Sequence, residues 1–205
     1  NTLSNIGHIS AGGTALGLAG ATNNVVGNVA SITVVDSHSG QAAIDLGGSQ
    51  NNELGDIGDI NYEGGNYVID LGGSTGNSLG NLGDIATNHY KALNIGGTNN
   101  ISIGTIDAIT VTDTSAYDSA NTAYALFFES STNNSIGTIG AINLTSTHNS
   151  VAPILIDADA GGNPSTDIVI GNIDAITAVS NAEYAYGIDL LDSERITFGD
   201  INSIT

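Results

Sequence analysis

Leu54-Gly55-Asp56-Ile57-Gly58-Asp59-Ile60 sets an apolar side chain at every third position, with a glycine directly after the first of them. The same arrangement returns at Val26 to Ile32, Leu79 to Ile85, Ile103 to Ile109, Ile136 to Ile142, Ile170 to Ile176 and Phe198 to Ile204. A degenerate copy starts at Ile6-Gly7, giving eight copies whose glycines, from Gly7 to Gly199, stand 20 to 34 residues apart. Self-similarity at such a period marks a solenoid, in which each repeat buries its apolar face only against its neighbours.

An offset of three would also suit one face of a helix. Glycine after the first apolar residue, glycine again at Gly58, Gly83 and Gly140, and β-branched isoleucine throughout oppose a helix. The unit reads as strand, bend, strand, with both arms pointing apolar residues inward. Upstream lies a second element that alternates: Leu16-Gly17-Leu18, Ile44-Asp45-Leu46, Ile69-Asp70-Leu71, Leu93-Asn94-Ile95, Leu126-Phe127-Phe128 and Ile188-Asp189-Leu190. Its middle residue precedes the next repeat glycine by 10 positions in all six cases. Alternation turns the flanks to one face and the middle residue to the other, as a half-buried strand requires.

The copy at Ile154-Leu155-Ile156 stands 16 residues before Gly171, so six are inserted, most simply as a loop at Ala160 to Pro164 within Asp157 to Asp167. Between the two elements sit corners such as Gly47-Gly48-Ser49-Gln50-Asn51-Asn52 and Ser130-Ser131-Thr132-Asn133-Asn134. Asparagine tolerates left-handed backbone, and its amide can bond the copies above and below, so an Asn ladder is expected at this corner. The segment after the last isoleucine varies most, reaching Thr110 to Ala123, and places the irregular loops on one side.

Composition narrows the function. Against 21 acidic residues stand two basic ones, Lys91 and Arg195, for a net charge of −19 that repels nucleic acid, anionic lipid and polyanionic glycans. The absence of cysteine removes disulfides, thiolate metal sites and thiol nucleophiles. No run of 18 apolar residues offers a membrane span.

Tyr186-Gly187-Ile188-Asp189-Leu190-Leu191-Asp192-Ser193, leading into Ile196-Thr197-Phe198-Gly199, and Glu129-Ser130-Ser131-Thr132-Asn133-Asn134-Ser135-Ile136-Gly137 resemble the right-handed parallel β-helix repeat family. That is the architecture of pectate-lyase-like enzymes, phage tailspikes and long bacterial and archaeal surface proteins. The resemblance covers nearly the whole chain and implies an all-β, single-stranded right-handed parallel β-helix. Residues 1–205 would form one domain of about eight coils of roughly 24–34 residues, the first interval being shorter. Coils stacked about 4.8 Å apart would make a rod roughly 35–40 Å long. The sequence closes on Phe198, Ile201 and Ile204 without a capping helix, so uncapped ends are expected. The chain would then be a segment of a longer solenoid or a subunit stacking head to tail into a filament.

The same coil carries enzymes, adhesins and stalks, so chemistry must be sought in side chains. Asp45, Asp70 and Asn94 form one outward column, and Asp56, Asp59 and Asp84, with Asn81, a second ridge. Each reads as a Ca²⁺ site of hard oxygen ligands or as a solvated acidic face, and no cofactor is required. Asp157, Asp159 and Asp167 flank the inserted loop as a third acidic group. His8, His38, His89 and His148 fall at unrelated positions and read as surface or loop residues; Tyr67, Tyr124 and Tyr186 share one offset and read as packing beside the loops. The sequons at Asn100, Asn133 and Asn143 add little in so Asn-rich a chain. Ice binding would need a regular outward threonine column, which Thr105 and Thr138 alone do not make.

The expected function is an extracellular or cell-surface structural or adhesive solenoid, not an enzyme. Its partners would be copies of itself, further coils or neutral glycans. The alternative is a carbohydrate-active β-helix of tailspike or pectinase type, which needs paired carboxylates in a cleft.

Overall fold

In the structure, a computed structural model describing residues 1–37, 40–114, 122–182 and 184–205, the chain winds through three parallel sheets in turn. No helix occurs among the described residues. Sheet I runs from Ile6–Ala11 through Leu82–Thr87 and Ile106–Asp113 to Ile173–Ser180. Sheet II runs from Leu16–Gly17 through Tyr67–Asp70 and Lys91–Asn94 to Ile188–Leu190. Sheet III is made chiefly of two-residue strands, such as Ser78–Leu79 and Ser102–Ile103, and ends at Ser193–Phe198. Every strand pairs in parallel with the equivalent strand of the next coil, so the architecture is a parallel β-solenoid.

The core consists of stacked columns. Ile32, Ile60, Ile85, Ile109, Ile142 and Ile176 meet in register from sheet I; Val26, Leu54, Leu79, Ile103, Ile136 and Ile170 do so from sheet III. All are buried. One such side chain contributes about 1.5–3 kcal/mol of burial, a gain available only with a coil above and below.

The bend falls just inside the sheet I strand. Asp107 and the half-buried Ala108 face outward between buried Ile106 and Ile109, which explains the offset of three; strict alternation then resumes at Val111 and Asp113. The repeat glycine serves close packing rather than unusual backbone. At Gly80 an added Cβ would lie 2.6 Å from Asp56 Oδ1 and 2.8 Å from Asp56 N in the coil below. The left-handed positions lie at the other corner, where Asn23, Asn51, Asn100 and Asn133 have φ of 52–56° and Gly76 holds the same register.

The inserted loop leaves at Asp157 and returns at Ser165. It is closed on itself by Asp159 Oδ1, which accepts the Gly161 and Asn163 amides at 2.9 and 3.0 Å.

Candidate functional site

The outward acids are absorbed by the coil edges. In sheet II, Asp45 Oδ1, Asp70 Oδ1 and Asn94 Oδ1 accept the amides of Gly47, Gly72 and Gly96 at 3.0, 2.9 and 3.1 Å, and Asn94 Nδ2 donates to Asp70 Oδ1 at 2.8 Å. At the glycine bend, Asn28 Oδ1 accepts the Asp56 amide at 3.0 Å, Asp56 Oδ1 that of Asn81 at 2.8 Å, and Asn81 Oδ1 that of Thr105 at 3.0 Å. Beside them Asp59 Oδ1 accepts the Asp84 amide at 3.1 Å. Short side chains here satisfy backbone donors that the corner turns away from the sheet ladder. Asp45 pairs with Asp70, and Asp59 stacks on Asp84, as expected. Yet no group of three or more His, Asp or Glu side chains is placed to hold a metal ion among the described residues.

The Asn ladder is present on the inner side of the corner. Asn52 Nδ2 donates to Asn77 Oδ1 at 3.1 Å, and Asn24 Nδ2 to Asn52 Oδ1 at 2.9 Å. Two rungs also reach a hydroxyl one coil below, Asn77 Nδ2 to Ser49 Oγ at 3.0 Å and Asn134 Nδ2 to Thr98 Oγ1 at 2.8 Å, while Asn52 Nδ2 reaches the Ala21 carbonyl at 3.1 Å. Ile101 occupies the rung between Asn77 and Asn134, and the hydroxyl it should meet, Ser74 Oγ, is buried without a partner. An orphaned buried hydroxyl costs about 1–3 kcal/mol. Ser74→Ala is therefore expected to stabilise the chain by about 1 kcal/mol, and Ser49→Ala to destabilise it by a similar amount, read as opposite shifts of the urea midpoint.

Lys91 lies within an aromatic cluster on sheet II. Its Nζ is 5.0 Å from the Tyr67 ring, 4.7 Å from Tyr90 and 5.7 Å from Tyr124, and Tyr124 stacks on Phe127 at 4.6 Å. Tyr67 and Tyr124, from the coils either side, bring their hydroxyls to 3.5 Å, and burial pushes the Tyr124 phenol far above its ordinary range. Tyr67 and Tyr124 thus pack as expected, whereas Tyr186 stays exposed near Tyr184, with ring centroids 6.3 Å apart. Arg195 grips the Asp167 carboxylate with Nε and Nη2 at 2.6 and 2.7 Å, and its Nη1 reaches Glu194 at 3.1 Å.

His89 sits in the loop between Leu82–Thr87 and Lys91–Asn94, half-buried against Tyr90 with Nδ1 3.0 Å from the Asn66 carbonyl. His8 and His148 are exposed, and His38 lies outside the described residues. Burial holds the His89 imidazole below its ordinary value, against the opposing pull of the Asn66 carbonyl and the Asp113 carboxylate. A depressed pKa means that the unfolded chain takes up protons first on acidification. The stability carried by neutral His89 is then complete above about pH 6.5 and is lost as pH falls through the folded value. The drop in Tm between pH of about 7 and about 5 is expected to be smaller in His89→Gln than in the parent.

Sequence reading missed a buried polar clasp. Asp113, 1% exposed, takes the last inward position of its sheet I strand; its Oδ2 accepts Ser146 Oγ at 2.6 Å and Asn149 Nδ2 at 2.7 Å. Alternation carried through Ile109-Val111-Asp113 and Ile142-Leu144-Ser146 would have found it.

Open hollows indent the rod among the described residues. One, about 250 Å³, lies on the outer face of sheet I over Ala86; another, about 460 Å³, lies beside the inserted loop with Asp192 and Glu194 in its wall. Thr105 and Thr138 belong to a corner column with Asn81 and form no threonine array. No family model, no curated protein and no solved structure matches the chain.

Proposed function

We propose that this chain is an extracellular or cell-surface structural and adhesive solenoid, a stiff rod that spans distance and offers its sides to other surfaces. The use of its acidic side chains carries the reading. Asp45, Asp56, Asp59 and Asp70 hold backbone amides at the coil edges, where an enzyme of this architecture would gather such groups around a substrate cleft. Copies of itself or further coils are fitting partners, because successive coil edges present the same ladder groups in the same register. Neutral glycans are the soluble partners that a net charge of −19 leaves attractive. No helix is long and apolar enough to cross a membrane among the described residues.

The carbohydrate-active alternative draws on the hollow at Asp192 and Glu194, although Arg195 engages Glu194 there. Electron microscopy of the purified chain, paired with incubation on neutral and acidic polysaccharides, separates the two. Rods of uniform width and no released oligosaccharide are expected. Enzymatic shortening of any polysaccharide would overturn the structural reading.

A further inference from the structure

We infer that the hollow over Ala86 receives a neutral sugar unit, an assignment resting on the adhesive part of the proposed function. Outward positions of sheet I stack in register as Thr33, Asn61, Ala86, Thr110 and Asn143. Alanine is the one member of that run without a side-chain polar atom, and its short side chain leaves a depression between Asn61 and Thr110. Tyr62, Glu63, Thr87, Asn88 and Thr112 complete the lining.

Apart from Asn88 and the buried Tyr62 and Thr87, these polar side chains make no bond that ties coil to coil. Elsewhere amide side chains tie coil to coil, as Asn24, Asn28, Asn52, Asn77, Asn81 and Asn134 do. Among the described residues the side chains of Asn61, Glu63, Thr110 and Thr112 make no hydrogen bond or ion pair. Asn88 uses only its Oδ1, which accepts the Gly64 amide at 3.1 Å, so its NH₂ is uncommitted. Amide and hydroxyl donors and acceptors, together with one carboxylate, therefore converge on a small open space.

Their chemistry selects the ligand. An anion would meet Glu63 and the overall negative charge. A purely apolar ligand would strand five polar side chains. A bare divalent cation would find one carboxylate where several are needed. A neutral polyol satisfies the set: adjacent hydroxyls can donate to the Glu63 carboxylate and exchange hydrogen bonds with the two amides, while a C–H face rests on the Ala86 methyl. The openness of the hollow fits one unit of a longer glycan whose neighbours lie along the sheet, and implies millimolar affinity for a single sugar, raised by multivalent display.

The test is amide NMR titration of the full chain, separately with methyl α-glucoside, methyl β-galactoside, methyl α-mannoside and N-acetylglucosamine, with glucuronate as the anionic control. Saturable shifts clustered at residues 61–63, 86–88 and 110–112 are expected with at least one neutral sugar and not with glucuronate. Ala86→Leu, which fills the hollow, and Glu63→Gln should each weaken binding about tenfold or more at unchanged Tm. Absence of saturable shifts with all four sugars, or shifts that survive Ala86→Leu, would overturn the assignment. Beads coated with the chain distinguish the two levels: adhesion to a neutral polysaccharide film that persists in Ala86→Leu rejects the hollow and leaves the adhesive reading standing. Polysaccharide cleavage accompanied by hollow-dependent shifts rejects that reading and keeps the hollow.

Discussion

Asp113→Leu is expected to cost about 3–5 kcal/mol, the scale of removing one partner from a buried charged cluster. Two donors, Ser146 Oγ and Asn149 Nδ2, lose their acceptor in a site from which water is excluded, Asn149 itself being 1% exposed. Asn149 Oδ1 is already buried without a partner, so loss of the Asp113 carboxylate leaves both ends of that side-chain amide unsatisfied. The turn after Ile139–Ser146 is held separately by the Asp113 backbone carbonyl, which accepts the Thr147 amide at 3.1 Å and is kept in the variant. Urea unfolding of the variant should show a lower midpoint. Asp107→Asn, at an exposed position of the same strand, should stay within about 0.5 kcal/mol of the parent. Adding Asn149→Leu to Asp113→Leu should recover part of the loss, since the stranded amide donor is removed with its acceptor while Ser146 Oγ still accepts the Asn149 backbone amide at 2.9 Å. A double variant no more stable than the single one would contradict the clasp.

Gly80→Ala should be nearly as damaging, at about 3 kcal/mol or more, although it adds a single methyl group. That methyl would stand 2.6 Å from Asp56 Oδ1 and 2.8 Å from Asp56 N and from the Gly55 carbonyl carbon. Relief requires the coils to separate, which breaks the Gly80 amide bond to the Leu54 carbonyl at 2.9 Å and the Asp56–Asn81 rung at 2.8 Å. Gly17→Ala is the control: its Cβ would meet only Thr14 Cγ2, at 3.6 Å, and little change is expected. Because a solenoid can lose one junction before the rest, hydrogen exchange around residues 54–57 and 79–82 is the decisive measurement for Gly80→Ala. Protection there equal to the parent would refute the close-approach account.

The solenoid was legible because its determinants are local and repeated. Leu54, Ile57 and Ile60 recur at fixed offsets, the residue ten before six of the repeat glycines keeps its place, and Asn51, Asn100 and Asn133 mark a corner with left-handed backbone. The insertion near Ala160 could be found by the same arithmetic. The role of Asp56, Asp59 and Asp70 was less visible, since a carboxylate column looks the same in a sequence whether it awaits a cation or accepts amides from a neighbouring turn. Only the corner geometry, which aims the Asn81 and Asp84 amides at those oxygens, tells them apart.

Contacts beside the variable loops were the hardest to foresee. Lys91 meets Tyr124 and Asp113 meets Asn149 across connections of unequal length, so no constant offset relates them. The hollow over Ala86 depends on differences in side-chain size between successive coils, information that lies across the stack and not along the chain.

The stacking also makes the molecule an electrical object. Nineteen net negative charges along roughly 35–40 Å amount to about one per 2 Å of axis, close to the one per about 1.7 Å of duplex DNA. The rod is in this sense a short polyelectrolyte. It gathers a dense cloud of cations whatever its specific ligands, and it holds parallel neighbours apart in dilute salt. The repulsion between parallel neighbours is then a property set by ionic strength.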